Sequence, residues 1–163
     1  MTEPFVISRV FDAPRERMWQ AWTDVERLKQ WWGPKGFTVT HCKLDLRPGG
    51  IMHYCLRMPN GSEMWGRFVY REIVKPERLV WVNSFSDKDG GVTVHPMSAT
   101  WPREMLTTVT FEAQGAKTRL TVQWTLFDTA TELERKTFEE GRESMKMGWT
   151  GTMDQFAAYL VKA

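Results

Sequence analysis

From Arg142 to Lys162 the apolar residues return at the spacing of one helical face, and a helix of that length with one apolar side needs a surface to lie on. Met145, Trp149, Thr152, Phe156, Tyr159 and Leu160 share that face, while Lys146, Thr150, Asp154 and Lys162 lie opposite. Gly148 and Gly151 each cost roughly 1 kcal/mol relative to alanine in a helix interior, so packing rather than propensity must hold the segment. Gly148 stands at the edge of the apolar stripe, where a missing side chain either admits a close strand or leaves room for a ligand. Gly151 lies farther toward solvent, and the pattern gives no reason for it.

The middle of the chain reads as the surface that helix requires. Phe37 to Leu46, Ile51 to Met58, Ser62 to Val74 and Arg78 to Ser86 are strand-like runs. They are separated by turn signals at Arg47, Pro48, Gly49, Gly50, at Pro59, Asn60, Gly61 and at Lys75, Pro76, Glu77. Arg103 to Ala113 and Thr118 to Leu126 form a last hairpin around Gly115. In it Met105, Val109, Phe111, Leu120, Val122, Trp124 and Leu126 alternate toward one face, as an antiparallel sheet covered on one side requires. Glu3 to Phe11 gives a first strand. Two short helices follow it: one capped by Asp12 with Pro14 in its first turn, the other capped by Asp24 and stopped at Gly33 and Pro34. Thr131 and Glu134 have capping-box spacing, so a short helix runs to Glu140 and ends or kinks at Gly141. Val92 to Pro102, with His95, Pro96, Met97 and Trp101, has no period and reads as a loop over one end of the sheet, a candidate lid. The expected fold class is therefore α+β: a curved seven-stranded antiparallel sheet wrapped around the long C-terminal helix, with two short helices after strand 1.

At 163 residues, with no repeat, linker or low-complexity stretch, residues 1–163 are expected to form a single domain. The 22 basic and 20 acidic residues are interspersed and give a net charge of +2, which argues against nucleic acid and anionic membranes as partners. Neither a membrane-length apolar run nor a secretory layout at Met1 to Phe11 is present, so a cytoplasmic protein is expected.

Four short motifs carry a family resemblance: Trp31, Trp32, Gly33, Pro34; Asp45, Leu46, Arg47, Pro48, Gly49, Gly50; Pro76, Glu77, Arg78, Leu79; and Gly148, Trp149. In this order and spacing, from Phe5 to Leu160, they resemble the family named for the activator of heat-shock protein 90 ATPase, within the START-like or SRPBCC superfamily. The resemblance implies the helix-grip fold, with a cavity between sheet and terminal helix that in many relatives holds a hydrophobic small molecule. It carries over no catalytic motif. The eukaryotic co-chaperone of that name has an additional N-terminal domain with no counterpart expected here, which argues against a chaperone partner.

Nucleophile elbows, phosphate loops, dinucleotide fingerprints and helical zinc motifs are absent from the sequence, and neither a metal nor a cofactor is expected. Among the three histidines, His41 and His53 on strands are expected at the surface or satisfied by neighbours. His95 in the loop is the better candidate to approach a ligand. Cys42 and Cys55 straddle the turn at Pro48 and Gly49, and a two- or four-residue loop there would place them opposite each other. A bulge at Gly49 and Gly50, together with a reducing compartment, favours free thiols instead. Tyr54, Asn83 and Arg67 are polar strand residues that could face a cavity, and Thr152 lies within the helix's apolar stripe, where it could equally bond back to its own helix. Trp65, Trp81, Trp124 and Trp149 read first as core, yet some of them, with Met145 and Phe156, should line any cavity that exists.

The leading functional expectation is binding of a hydrophobic or aromatic small molecule. A cyclase- or hydrolase-like enzyme of the same superfamily is the second, with no catalytic residue assigned, and a chaperone-regulating interaction protein the third. A homodimer is the commonest oligomer in general, but no segment identifies an interface.

Overall fold

The computed structural model describes residues 2–96 and 98–162. Along the chain run β1 (Phe5–Phe11), α1 (Arg15–Thr23), α2 (Val25–Trp31), β2 (Thr38–Leu44), β3 (Ile51–Arg57), β4 (Glu63–Val74) and β5 (Arg78–Ser86). The two-residue β6 (Val92–Thr93), β7 (Met105–Gln114), β8 (Lys117–Leu126), α3 (Glu132–Glu140) and α4 (Arg142–Lys162) complete it. Strand order is β1-β8-β7-β5-β4-β3-β2, antiparallel throughout, with β6 paired to the end of β5. Seven strands thus form the path, and an eighth arises inside the segment read from sequence as an unstructured loop. Two residues are too short a run to show a period. Met97, placed by sequence in that loop, lies outside the described residues.

The sheet bends because its ladders are irregular. Register shifts between Val39 and His41 in β2 and between Tyr70 and Glu72 in β4 insert extra residues, which bend and twist a strand locally. The resulting concave face takes α4, while α1 and α2 carry the chain from the β1 edge to the β2 edge. Met145, Trp149, Thr152, Met153, Phe156, Tyr159 and Leu160 of α4 are buried. Each large apolar side chain so placed contributes roughly 1.5–3 kcal/mol relative to exposure. Polar ties fix the helix along its length: Arg142 donates to the Glu3 and Pro4 carbonyls, Arg9 pairs with Asp154 at 2.8 Å, and Arg17 donates to the Leu160 carbonyl.

Gly151, unexplained by sequence, has a structural reason. A Cβ there would sit 3.2 Å from the Lys35 amide nitrogen and 3.7 Å from Pro34, so its absence lets the turn after α2 press against the helix. Beneath the C-terminal half of α4 the interior is solid with aromatic rings. Trp22 of α1 is at its centre, in ring contact with Trp31, Trp32, Trp81, Phe111, Trp149 and Phe156.

The helix ends follow the sequence closely, with one correction. Asp24 caps α2 by accepting from the Glu26 amide at 3.1 Å, and Thr131 with Glu134 forms a full capping box on α3. Pro14, however, occupies the N-cap of α1, which has no side-chain cap, so Asp12 does not serve there. Pro14 supplies the extended φ and ψ that this position needs, and α1 begins one residue later. Glu134 has a second task. Its other oxygen accepts from the Arg103 amide at 2.8 Å, tying the segment before β7 to the start of α3.

Candidate functional site

The N-terminal half of α4 does not touch the sheet as the other half does. Between Met145, Gly148, Trp149 and Thr152 and the facing strands lies a cavity of about 300 Å³, partly open to solvent. Strand alternation sets its walls. Tyr54 and Leu56 on β3, Met64 on β4, Asn83 and Phe85 on β5 and Met105 on β7 face inward, and Trp32, Gly33 and Pro34 close the side under α2. His95, Trp101 and Pro102 cover the remaining end from the segment after β6.

Gly148 lies on this wall, and a Cβ built there meets no atom within 4 Å. Of the two readings open from sequence, the structure therefore supports room rather than a close strand. The two helical glycines differ in consequence. Gly148→Ala should stabilise the fold by roughly 1 kcal/mol through helix propensity alone, whereas Gly151→Ala should lose that gain against the Lys35 backbone. Urea unfolding of the two variants checks this, and equal midpoints would contradict the packing described.

Tyr54, Asn83, His95, Trp124, Met145, Trp149 and Thr152 all line the cavity. Trp65 borders it too, but its indole lies on the other face of the sheet, 5.0 Å from the His53 ring and 5.4 Å from His41, because Trp65 pairs with the outward Cys55. Trp81 and Phe156 do not line it. Trp81 is stacked on Phe68 at 4.2 Å, and Phe156 sits 4.5 Å from Trp31. The rings from α1 and α2 fill the space that both would otherwise have faced. Arg67 also points outward and donates to the Gly90 carbonyl at 2.7 Å. Trp32, Leu56, Phe85 and Trp101 were not singled out as site residues from sequence. Phe85 was within reach, since period-two alternation puts it on the face of Asn83.

The polar groups on the wall have defined hydrogen-bond states. The Thr107 hydroxyl donates to Asn83 Oδ1, and Thr152 Oγ1 donates back to the Gly148 carbonyl at 3.0 Å, the alternative left open for it. Burial pushes the Tyr54 phenol up to about 12, with a hydrogen bond from the Trp32 side chain acting in the opposite direction, so the phenol is neutral at physiological pH. Burial also holds His95 below the ordinary histidine range, favouring neutral imidazole beside Phe85 at 4.6 Å.

The cysteines are both free. Cys42 pairs across with Tyr54 while His41 pairs with Cys55, so the turn is offset by one residue from the arrangement that would set the two thiols opposite, and they alternate to opposite faces. Burial raises the Cys42 thiol to about 11. Among the described residues no three His, Cys, Asp or Glu side chains group as metal ligands would.

A family model described as Activator of Hsp90 ATPase homolog 1-like protein matches residues 12–161. The chain belongs to that family. Solved structures agree across nearly the full length. A protein of Mycobacterium smegmatis is 25% identical with a TM-score of 0.77, covering 98% of this chain and 91% of that one. One from Arthrobacter aurescens is 26% identical at 0.76, covering 98% and 87%, and one from Nitrosomonas europaea is 24% identical at 0.76, covering 98% and 94%. No curated protein matches the chain. Membership in the Activator of Hsp90 ATPase homolog 1-like family accounts for the α+β helix-grip architecture, and two of the four sequence motifs border the site or its approach. Trp31 donates its indole N–H to the Ala21 carbonyl at 3.1 Å, Gly33 turns the chain at φ 106°, and Gly148 with Trp149 borders the cavity.

Proposed function

We propose that this protein, as one START-like domain of the cytoplasm, binds a hydrophobic small molecule in the cavity against α4. The observation that carries the reading is the unfilled wall at Gly148, because protein interiors are close-packed and a helical glycine facing empty space forgoes both packing and propensity. Aromatic and aliphatic side chains with a few polar groups are the usual lining of a ligand site. The family membership and the absence, among the described residues, of any helix long and apolar enough to cross a membrane are consistent with it.

Native mass spectrometry of protein purified from its own host is the direct test. A single small-molecule adduct that is released on denaturation is the expected result. Bare protein in every preparation, with no quenching of tryptophan emission by added 2-acetylnaphthalene, would remove the proposal, since Trp32, Trp101, Trp124 and Trp149 all stand on the wall where such a probe would dock.

A further inference from the structure

The cavity wall carries no Asp, Glu, Lys or Arg among the described residues. A carboxylate, phosphate or ammonium group buried there would lose its water without gaining an opposite charge, a loss that apolar contacts do not offset. The polar groups present carry no permanent charge, and they are directional.

Asn83 is the most constrained of them. It lies on the inward face of β5 between Trp81 and Phe85, and its register partner across the sheet, Met105, also lines the cavity. The hydroxyl of fully buried Thr107 donates to its Oδ1. With the amide's acceptor so engaged, Nδ2 is the atom left to face the cavity, and among the described residues it has no protein acceptor. Tyr54, on the same wall, adds a neutral phenolic O–H as a second group able to donate. The wall therefore offers donors to something that accepts and does not ionise.

We propose that the ligand is an uncharged aromatic compound bearing a carbonyl or comparable neutral acceptor, which Asn83 Nδ2 holds while the surrounding rings take the aromatic body. Thr107 is a positioning residue in this arrangement: it fixes which end of the amide meets the ligand. The proposal rests on the cavity-binding reading above and narrows it to one chemical class.

Three probes of one shape separate the two levels: 2-acetylnaphthalene, 2-naphthoate and 2-isopropylnaphthalene, titrated at neutral pH against tryptophan emission. The ketone should bind at least about tenfold more tightly than the carboxylate, which must bury an unpaired charge. It should bind roughly three- to tenfold more tightly than the hydrocarbon, the range for one neutral hydrogen bond. Asn83→Asp should abolish the preference of ketone over hydrocarbon. Thr107→Val, close in shape, should reduce that preference while leaving hydrocarbon affinity unchanged, an outcome that a purely structural role for Thr107 would not produce. Carboxylate binding equal to that of the ketone, or ketone binding equal to that of the hydrocarbon in the unmodified protein, overturns the ligand class and leaves cavity binding standing. Failure of all three to bind removes both.

Discussion

Replacing Gly148 with leucine should eliminate uptake of an apolar probe while raising the stability of the fold. A Cβ at this position has no neighbour within 4 Å, and the remaining atoms of the side chain would extend into a cavity of only about 300 Å³. Leucine is also the better helix former by roughly 0.8–1 kcal/mol, and it would bury new apolar surface within the cavity. The expected result is a melting temperature higher by a few degrees, at roughly 2–4 °C per kcal/mol for a chain of this size. With it should come a loss of at least about 100-fold in 2-acetylnaphthalene affinity, since overpacking a filled site costs on the order of 3 kcal/mol. Calorimetry and emission quenching on the same sample check both halves. A variant that is more stable and still binds would place the ligand somewhere else.

The largest loss of stability from a small change is expected at Gly50. A Cβ there would fall 2.1 Å from the Asp45 carbonyl oxygen and 2.9 Å from that of Arg47, both main-chain atoms. The loop cannot step aside. Arg47 N–H donates to Asp45 at 3.0 Å and Gly50 N–H to Arg47 at 2.7 Å. The ladder then continues with Gly49 N–H to Tyr70 at 2.7 Å and Tyr70 N–H to Gly50 at 2.9 Å. Gly50→Ala should therefore cost roughly 3 kcal/mol, the upper end for forced overpacking. Gly49→Ala is the control. Its Cβ meets nothing, but its φ of 84° belongs to the left-handed region, so it should cost a smaller ~1–2 kcal/mol. Urea midpoints decide the order, and a milder effect at Gly50 than at Gly49 would contradict the turn geometry.

Local chemistry was the part of this fold that could be read in advance. The bounds of α4 at Arg142 and Lys162, the capping box of Thr131 with Glu134 and the cap at Asp24 depend on residues three or four apart, and each stands where the pattern puts it. Pairing across the sheet depends on distant residues and was less legible. The β2–β3 register runs one residue away from the arrangement that would have opposed Cys42 to Cys55, because the turn at Asp45 to Gly50 spends its residues on pairing with Tyr70. The same limit governed the site. Helix periodicity correctly put Met145, Trp149 and Thr152 on the buried side of α4, but it could not tell cavity from core. Phe156 shares that face and is sealed by Trp31, a residue 125 positions earlier. Trp65 and Arg67 turned out to face away from the helix, since a strand's inward set is fixed only once its neighbours are known.

The carboxylate of Glu134 holds two things at once: the first turn of α3, and the main chain just ahead of β7. Trp101 and Pro102, which cover one end of the cavity, stand immediately before that second anchor. One side chain thus serves both the start of a helix and the edge of the cavity, so its removal would withdraw a hydrogen bond from each.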